Sequence, residues 1–169
     1  MQSSGMVVRV VVASACIIVA SGIAIGTIEL PGVDILALAL AGVSTIALEI
    51  LGNPVSLDGA VIATNGLVVV VAQQCTAIEL LLVFSAAVLI CPVSLKARAF
   101  ALLLGIPALC VLNLFRIISL VLIGIGFPQH LDLAHLVVWQ IAMVVAAFTM
   151  WLFWLRWAYN VRRNDRLAA

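Results

Sequence analysis

The sequence predicts an all-α integral membrane protein: a bundle of four or five transmembrane helices, with a small extracytoplasmic β meander before the helix that bears Cys75. Of the 169 residues, 66% are hydrophobic and only 9% are charged. A soluble domain of this length does not need so much apolar side chain, and several apolar runs are long enough to cross a bilayer. We therefore expect a single membrane domain over residues 1–169.

Four apolar runs are the expected transmembrane spans, and they cover approximately residues 6–28, 75–91, 98–127 and 133–157. A further run, residues 35–51, is at the short limit for crossing, so it either spans the bilayer or lies in the interface. If it crosses, there are five spans and the N-terminus is outside. If it does not, there are four spans and Arg9 is cytoplasmic. The single Arg9 favours four.

Residues 53–73 are expected to form an outer, β-rich segment. Its β-branched runs are separated by Asp58-Gly59 and Asn65-Gly66, which are the dipeptides that tight hairpin turns prefer. Such a meander has a plain structural use as an outer cap. An exposed strand edge offers a second use, because an extended peptide can pair with it.

The cationic residues predict the orientation. Lys96 and Arg98 lie in the link after the 75–91 span, and a basic tail closes the chain, so both regions belong in the cytoplasm by the positive-inside rule. The start of the 75–91 span and the 128–132 turn then lie outside. The last span ends in an expected aromatic belt of Trp151, Trp154, Trp157 and Tyr159.

Cys75 is the candidate nucleophile. It follows Gln73 and Gln74 and is expected on the first turn of its helix, where unsatisfied N–H groups and the helix dipole favour a thiolate. The other cysteines (Cys16, Cys91 and Cys110) lie within apolar runs, where a small, inert, buried thiol is the ordinary interpretation. Residue chemistry alone supports both interpretations of Cys75 equally.

Arg116 is the strongest single signal of function. A guanidinium at membrane depth is costly unless it is paired or reaches a wet cavity, and Arg116 is far from both ends of its span. Glu79, four residues after Cys75, is the expected partner by depth, or else it orients His135. Asn113 shares a helical face with Arg116 and acts either as interhelical glue or directly.

His135 is the candidate general base. It is expected on the first turn of the last span with Asp132 three residues before it, which favours it over His130 in the preceding turn. The predicted topology brings Cys75, Arg116 and His135 to similar depth in the outer half of the bilayer. A purely structural ion pair between Arg116 and Glu79 remains an alternative.

Cofactor chemistry is not expected. The cysteines and histidines show no metal-ligand, haem or disulfide spacing, so we expect neither a cofactor nor a metal. The net charge of +1 gives no indication of a nucleic-acid partner.

Three short motifs, taken together, resemble the exosortase/archaeosortase family, and most of all its exosortase H branch. They are Cys75-Thr76-Ala77-Ile78-Glu79, Asn113-Leu114-Phe115-Arg116-Ile117 and Ala134-His135-Leu136-Val137-Val138-Trp139-Gln140. The family signature is a Cys, an Arg in an Asn-x-x-Arg context and a His, in that order. This chain departs from it at one point, since Thr76-Ala77 stands where the family usually has Ser-Gly or Asn-Gly.

The resemblance implies a membrane-embedded cysteine protease or transpeptidase with Cys75, Arg116 and His135 as catalytic residues. Its substrates would be exported proteins with a C-terminal sorting tail: a short motif, a transmembrane helix and a basic end. It would cut near the motif at the outer face of the bacterial cytoplasmic membrane, through a Cys75 thioester, with an amine or a lipid as possible acceptor. The alternative is a non-enzymatic membrane carrier or assembly scaffold with a structural Arg116–Glu79 pair.

Overall fold

The computed structural model describes the backbone of residues 32–168 and the side chains of residues 32–161. The described chain is mostly helical and contains one small sheet. Its four main helices are α1 (Val33–Ile50), α2 (Ile78–Ile90), α3 (Leu95–Gly126) and α4 (Trp139–Ala168). The span expected over residues 6–28 lies outside the described residues, so the count of four to five spans stays a prediction.

Three helical segments of the described chain are long and apolar enough to cross a membrane: Val33–Ile50, Leu95–Gly126 and Pro128–Val161. The run expected to span or lie in the interface over residues 35–51 is thus a continuous helix of 18 residues. By contrast, α2 has only 13 residues. It is about 20 Å long, which is shorter than the roughly 30 Å hydrocarbon core of a bilayer. Only this part of the span expected over residues 75–91 is α-helical.

The β meander is confirmed. Strands β1 (Val55–Asp58), β2 (Val61–Thr64) and β3 (Leu67–Val70) form an antiparallel sheet in the order β1-β2-β3. The second hairpin turns at Asn65-Gly66, both with positive φ (47° and 80°), the geometry that favours Asn-Gly in a type I′ turn. The first hairpin turns at Gly59-Ala60 rather than at Asp58-Gly59, because Asp58 still pairs with Val61. The extracytoplasmic position of the sheet stays a prediction.

Contacts along the described chain group it into two compact units. The first, which we call the sheet unit, comprises residues 32–78 and 108–145. The second, the tryptophan unit, comprises residues 79–107 and 146–168. Pro107 lies inside α3 at the division between them.

The sheet unit is built around one apolar cluster. Helix α1 presents Ala37, Ala41 and Leu48 on one face, as the helical repeat requires. These residues pack with the inward-facing Ile62 of β2, with Val71, and with Ile117 and Val121 of α3. Gly124 continues the close packing, because a Cβ there would lie 2.6 Å from a terminal carbon of Leu67. Sheet, α1 and the second half of α3 therefore share one core.

The tryptophan unit corrects the expected aromatic belt. Trp151 and Trp154 are buried, and the indole N–H of Trp154 donates to the carbonyl oxygen of Ala97 at 2.9 Å. Trp157 is partly exposed and stacks on Phe100 with ring centroids 4.8 Å apart. Two of the four belt residues are thus core residues, since helical spacing turns one face of α4 inward.

Candidate functional site

Cys75 closes a short 3₁₀ turn, Gln73–Cys75, that leads out of the sheet. Its amide N–H donates to the carbonyl oxygen of Ala72 at 2.9 Å, and its half-buried side chain packs against the core of the sheet unit. The α-helix begins only at Ile78. The expectation that Cys75 lies on the first turn of that helix is therefore wrong.

Ala77 explains this break. It has a φ of +55°, the left-handed region that L-residues other than Asn and Asp rarely adopt. The preceding residue, Thr76, is buried and fixes the corner locally: its hydroxyl donates to the carbonyl oxygen of Gln73 at 2.7 Å and accepts from the amide of Ile78 at 3.4 Å. The chain thus changes direction between the cysteine and α2.

Asn113 joins α3 to the cysteine. It is only 1% exposed, and its side-chain amide donates to the main-chain carbonyl oxygen of Cys75 at 2.7 Å. The other end of the same amide, Oδ1, is buried and has no hydrogen-bond partner among the described residues. Two roles were left open for Asn113: joining segments of the chain, or acting directly in the chemistry. The bond to the main chain of Cys75 is of the first kind.

Arg116 lies one turn after Asn113 on α3 and is 6% exposed. Its guanidinium is close enough to the Cys75 thiol to interact with it electrostatically. It interacts in the same way with the imidazole of His135. Within the described residues of the sheet unit, no carboxylate forms an ion pair with Arg116. Cys75 and His135 thus both interact with the nearly buried guanidinium of Arg116.

His135 lies within a π-helical turn, Ala134–Val138, and is partly buried. Helical conformation already begins with a 3₁₀ turn at Pro128–His130 and continues through Leu131–Leu133. His135 is consequently about two turns into the helical segment and not on its first turn as expected, because Pro128 starts a helix where a turn was predicted. π-Helical turns of this kind are frequent at functional sites.

The supporting residues are placed differently. Asp132 is exposed, and its carboxylate interacts electrostatically with His135, in agreement with their spacing. Glu79 is the second residue of α2, is partly buried and belongs to the tryptophan unit. Its expected pairing with Arg116 or His135 stays a prediction. Among the side chains of residues 32–161, no group of three His, Cys, Asp or Glu residues is arranged to hold a metal ion.

Sequence reasoning did not identify two features of the site: the left-handed Ala77 and the π-helical turn around His135. A signal for the first was available, since the family usually has glycine at the position of Ala77 and glycine is the residue that a left-handed backbone favours. No comparable signal marks the π-helical turn.

Comparison with known proteins agrees with the motifs. A family model described as transmembrane exosortase (Exosortase_EpsH) matches residues 5–155, which include Cys75, Arg116 and His135. No curated protein and no solved structure matches the chain. The family match covers most of the 169 residues and confirms the resemblance. The chain belongs to the transmembrane exosortase family.

Proposed function

We propose that this protein is a membrane-embedded cysteine protease or transpeptidase that cleaves the C-terminal sorting tail of exported proteins. The observation that carries the proposal is the position of the Arg116 guanidinium, which interacts electrostatically with both the Cys75 thiol and the His135 imidazole. Membership of the exosortase family, whose members are generally protease- or transpeptidase-like, supports the same reaction class.

The reaction begins at the cysteine. His135 takes the proton of the Cys75 thiol, and the resulting thiolate attacks the scissile carbonyl carbon as the electron pair of the C=O bond moves to oxygen. Arg116 is the donor for this oxyanion, and one such donor contributes about 3–4 kcal/mol to the transition state.

His135 completes the cycle. It protonates the amine of the leaving fragment as the C–N bond breaks, and the new carboxyl end of the protein stays on Cys75 as a thioester. An amine or a water molecule then attacks the thioester and loses a proton to His135. The C–S bond breaks, and His135 returns that proton to the sulfur, which restores the thiol. Asp132, beside the imidazole, stabilises its protonated form.

We place the site on the outer side of the bacterial cytoplasmic membrane, with the C-terminus in the cytoplasm, because the basic link and the arginine-rich tail favour the inside. A membrane-impermeant maleimide tests this placement. It should label Cys75 in intact cells or spheroplasts. Labelling that requires membrane disruption would place the thiol on the other side.

The experiment that tests the function is co-expression with an exported reporter carrying a motif, a transmembrane helix and a basic end. Cys75→Ala should abolish processing while the protein still accumulates in the membrane. Cys110→Ala is the matched control, since Cys110 is also half-buried in the sheet unit, and it should process normally. Hydroxylamine should release the reporter with a hydroxamate at its new end, which identifies the thioester.

A carrier or scaffold would give a different pattern. It would tolerate Cys75→Ala without loss of function and would lose abundance on Arg116→Ala, because only the structural role of the cation would matter. Full processing of the reporter by Cys75→Ala would end the protease proposal.

A further inference from the structure

The carboxamide of Asn113 on α3 donates a hydrogen bond to the main chain of Cys75. It is almost completely buried, and the bond to the Cys75 carbonyl oxygen is short, at 2.7 Å. A buried amide in an apolar helix is costly unless it is bonded, so its geometry is fixed by that one contact.

We propose that Asn113 is a positioning residue that holds the main chain of Cys75 so that its thiol faces Arg116. The inference rests on the proposed function, in which Cys75 is the nucleophile. Asn113 and Arg116 are three residues apart and therefore share one face of α3. One helix thus carries both the side chain that bonds the backbone of the cysteine and the guanidinium that interacts electrostatically with its thiol.

The local structure around Cys75 shows why such a hold is needed. The cysteine belongs to a turn of only three residues, and Ala77, two positions later, has a left-handed backbone. The amide of Ile78, three residues after Cys75, is bonded to the hydroxyl of Thr76. Asn113 therefore supplies a donor to the Cys75 carbonyl from outside the turn, where regular helical bonding has not yet begun.

The same buried position argues against a role in binding substrate. Oδ1 of Asn113 has no partner among the described residues, yet it is enclosed, so neither end of the amide is presented to an incoming peptide. Loss of Asn113 should consequently change the orientation of the nucleophile and leave substrate affinity alone.

The test compares Asn113→Leu, which keeps the branching at Cγ and removes the amide, with wild type. With the tail-bearing reporter, kcat should fall by about 100-fold, the effect of a misplacement near 1 Å, while KM changes by less than about twofold. The alkylation rate of Cys75 by iodoacetamide, followed by mass spectrometry of its peptide in the full chain, should also fall, because the reacting sulfur is then displaced from the guanidinium of Arg116.

Ser44→Ala is the matched control, since Ser44 is also a fully buried polar residue of the sheet unit whose hydroxyl has no partner among the described residues. It should leave kcat and the alkylation rate unchanged. If Asn113→Leu does not accumulate in the membrane, Asn113→Asp tests the positioning role instead. Its carboxyl can donate to the carbonyl only when protonated, so its kcat relative to wild type should rise as the pH falls.

Two results would overturn the inference. The first is wild-type kcat and wild-type alkylation of Cys75 in accumulated Asn113→Leu. The second is an Asn113→Asp deficit that does not change with pH and appears only in protein abundance. The alkylation measurement does not depend on processing. Full processing by Cys75→Ala would therefore refute the proposed function, while a slower alkylation of Cys75 in Asn113→Leu would still support the hold on its backbone.

Discussion

The left-handed Ala77 makes a quantitative prediction about stability. Its φ of +55° brings Cβ close to a main-chain oxygen, at a cost of about 1–2 kcal/mol for an L-residue. Glycine avoids that cost but loses about 0.5–1 kcal/mol more conformational entropy on folding. Ala77→Gly should therefore raise the free energy of unfolding by about 0.75 kcal/mol, the midpoint of the difference between these two effects, which runs from about 0 to about 1.5 kcal/mol.

Ala72 provides the matched control, because it precedes the same turn with an ordinary φ of −84°. Ala72→Gly adds the conformational entropy cost of glycine but removes no steric strain. It should therefore lower the free energy of unfolding by about 0.5–1 kcal/mol. The gap between the two variants, about 1–2 kcal/mol, then measures the strain at Ala77. Reversible denaturation in mixed micelles is the assay. Equal destabilisation by both glycines would refute the reasoning.

Five further variants test the site and the packing. Arg116→Ala should slow reporter cleavage by about 10²–10³-fold, and Arg116→Lys should fall between it and wild type, because lysine keeps the charge but loses the planar fork. His135→Ala should slow cleavage by about 10²–10⁴-fold; wild-type rates in either alanine variant would contradict the assigned roles. Gly105→Ala should lower stability by about 1–3 kcal/mol, since its Cβ would lie 2.5 Å from two ring atoms of Phe84. Gly42→Ala, with no atom within 4 Å, should instead be neutral or stabilising by up to about 1 kcal/mol, and an equal loss in both would contradict the packing.

The parts of the fold that local sequence determines were predicted well. The meander follows from two turn dipeptides between β-branched runs, and the structure has three strands there. The run over residues 98–127 corresponds to α3, Leu95–Gly126, because an uninterrupted apolar stretch of this length has few alternatives to a helix. Only the boundaries moved, by one to three residues.

The break between Cys75 and α2 could not be predicted in the same way. Alanine is the best helix former, and Ile78 and the leucines after it continue an apolar run, so local preference extends the helix back through Ala77. Two interactions oppose this preference: a local one, in which the hydroxyl of Thr76 bonds the corner, and a tertiary one, in which Asn113 bonds the Cys75 carbonyl from a position 38 residues later. Tertiary contacts of this kind override propensity without leaving a local signal.

The buried tryptophans were missed for a related reason. Composition places Trp151 and Trp154 near the end of a span, where an interfacial belt is the usual interpretation. Which of them faces inward depends on the partner that their face of α4 meets, and the bond from Trp154 to Ala97 is such a partner. The order of residues along a span predicts their depth in the membrane. Which of them face the protein interior depends on tertiary packing.

The break at Ala77 also changes the account of how a Cys75 thiolate would be stabilised. A helix dipole acts mainly within the first turn, and Cys75 ends three residues before α2 begins. In the proposed mechanism the stabilising charge is then the guanidinium of Arg116, which interacts electrostatically with the thiol. A cation on a separate helix is sensitive to small displacements of either segment. Asn113 bonds the Cys75 backbone to the helix that carries Arg116. This bond holds the thiol and the guanidinium in a constant relative position.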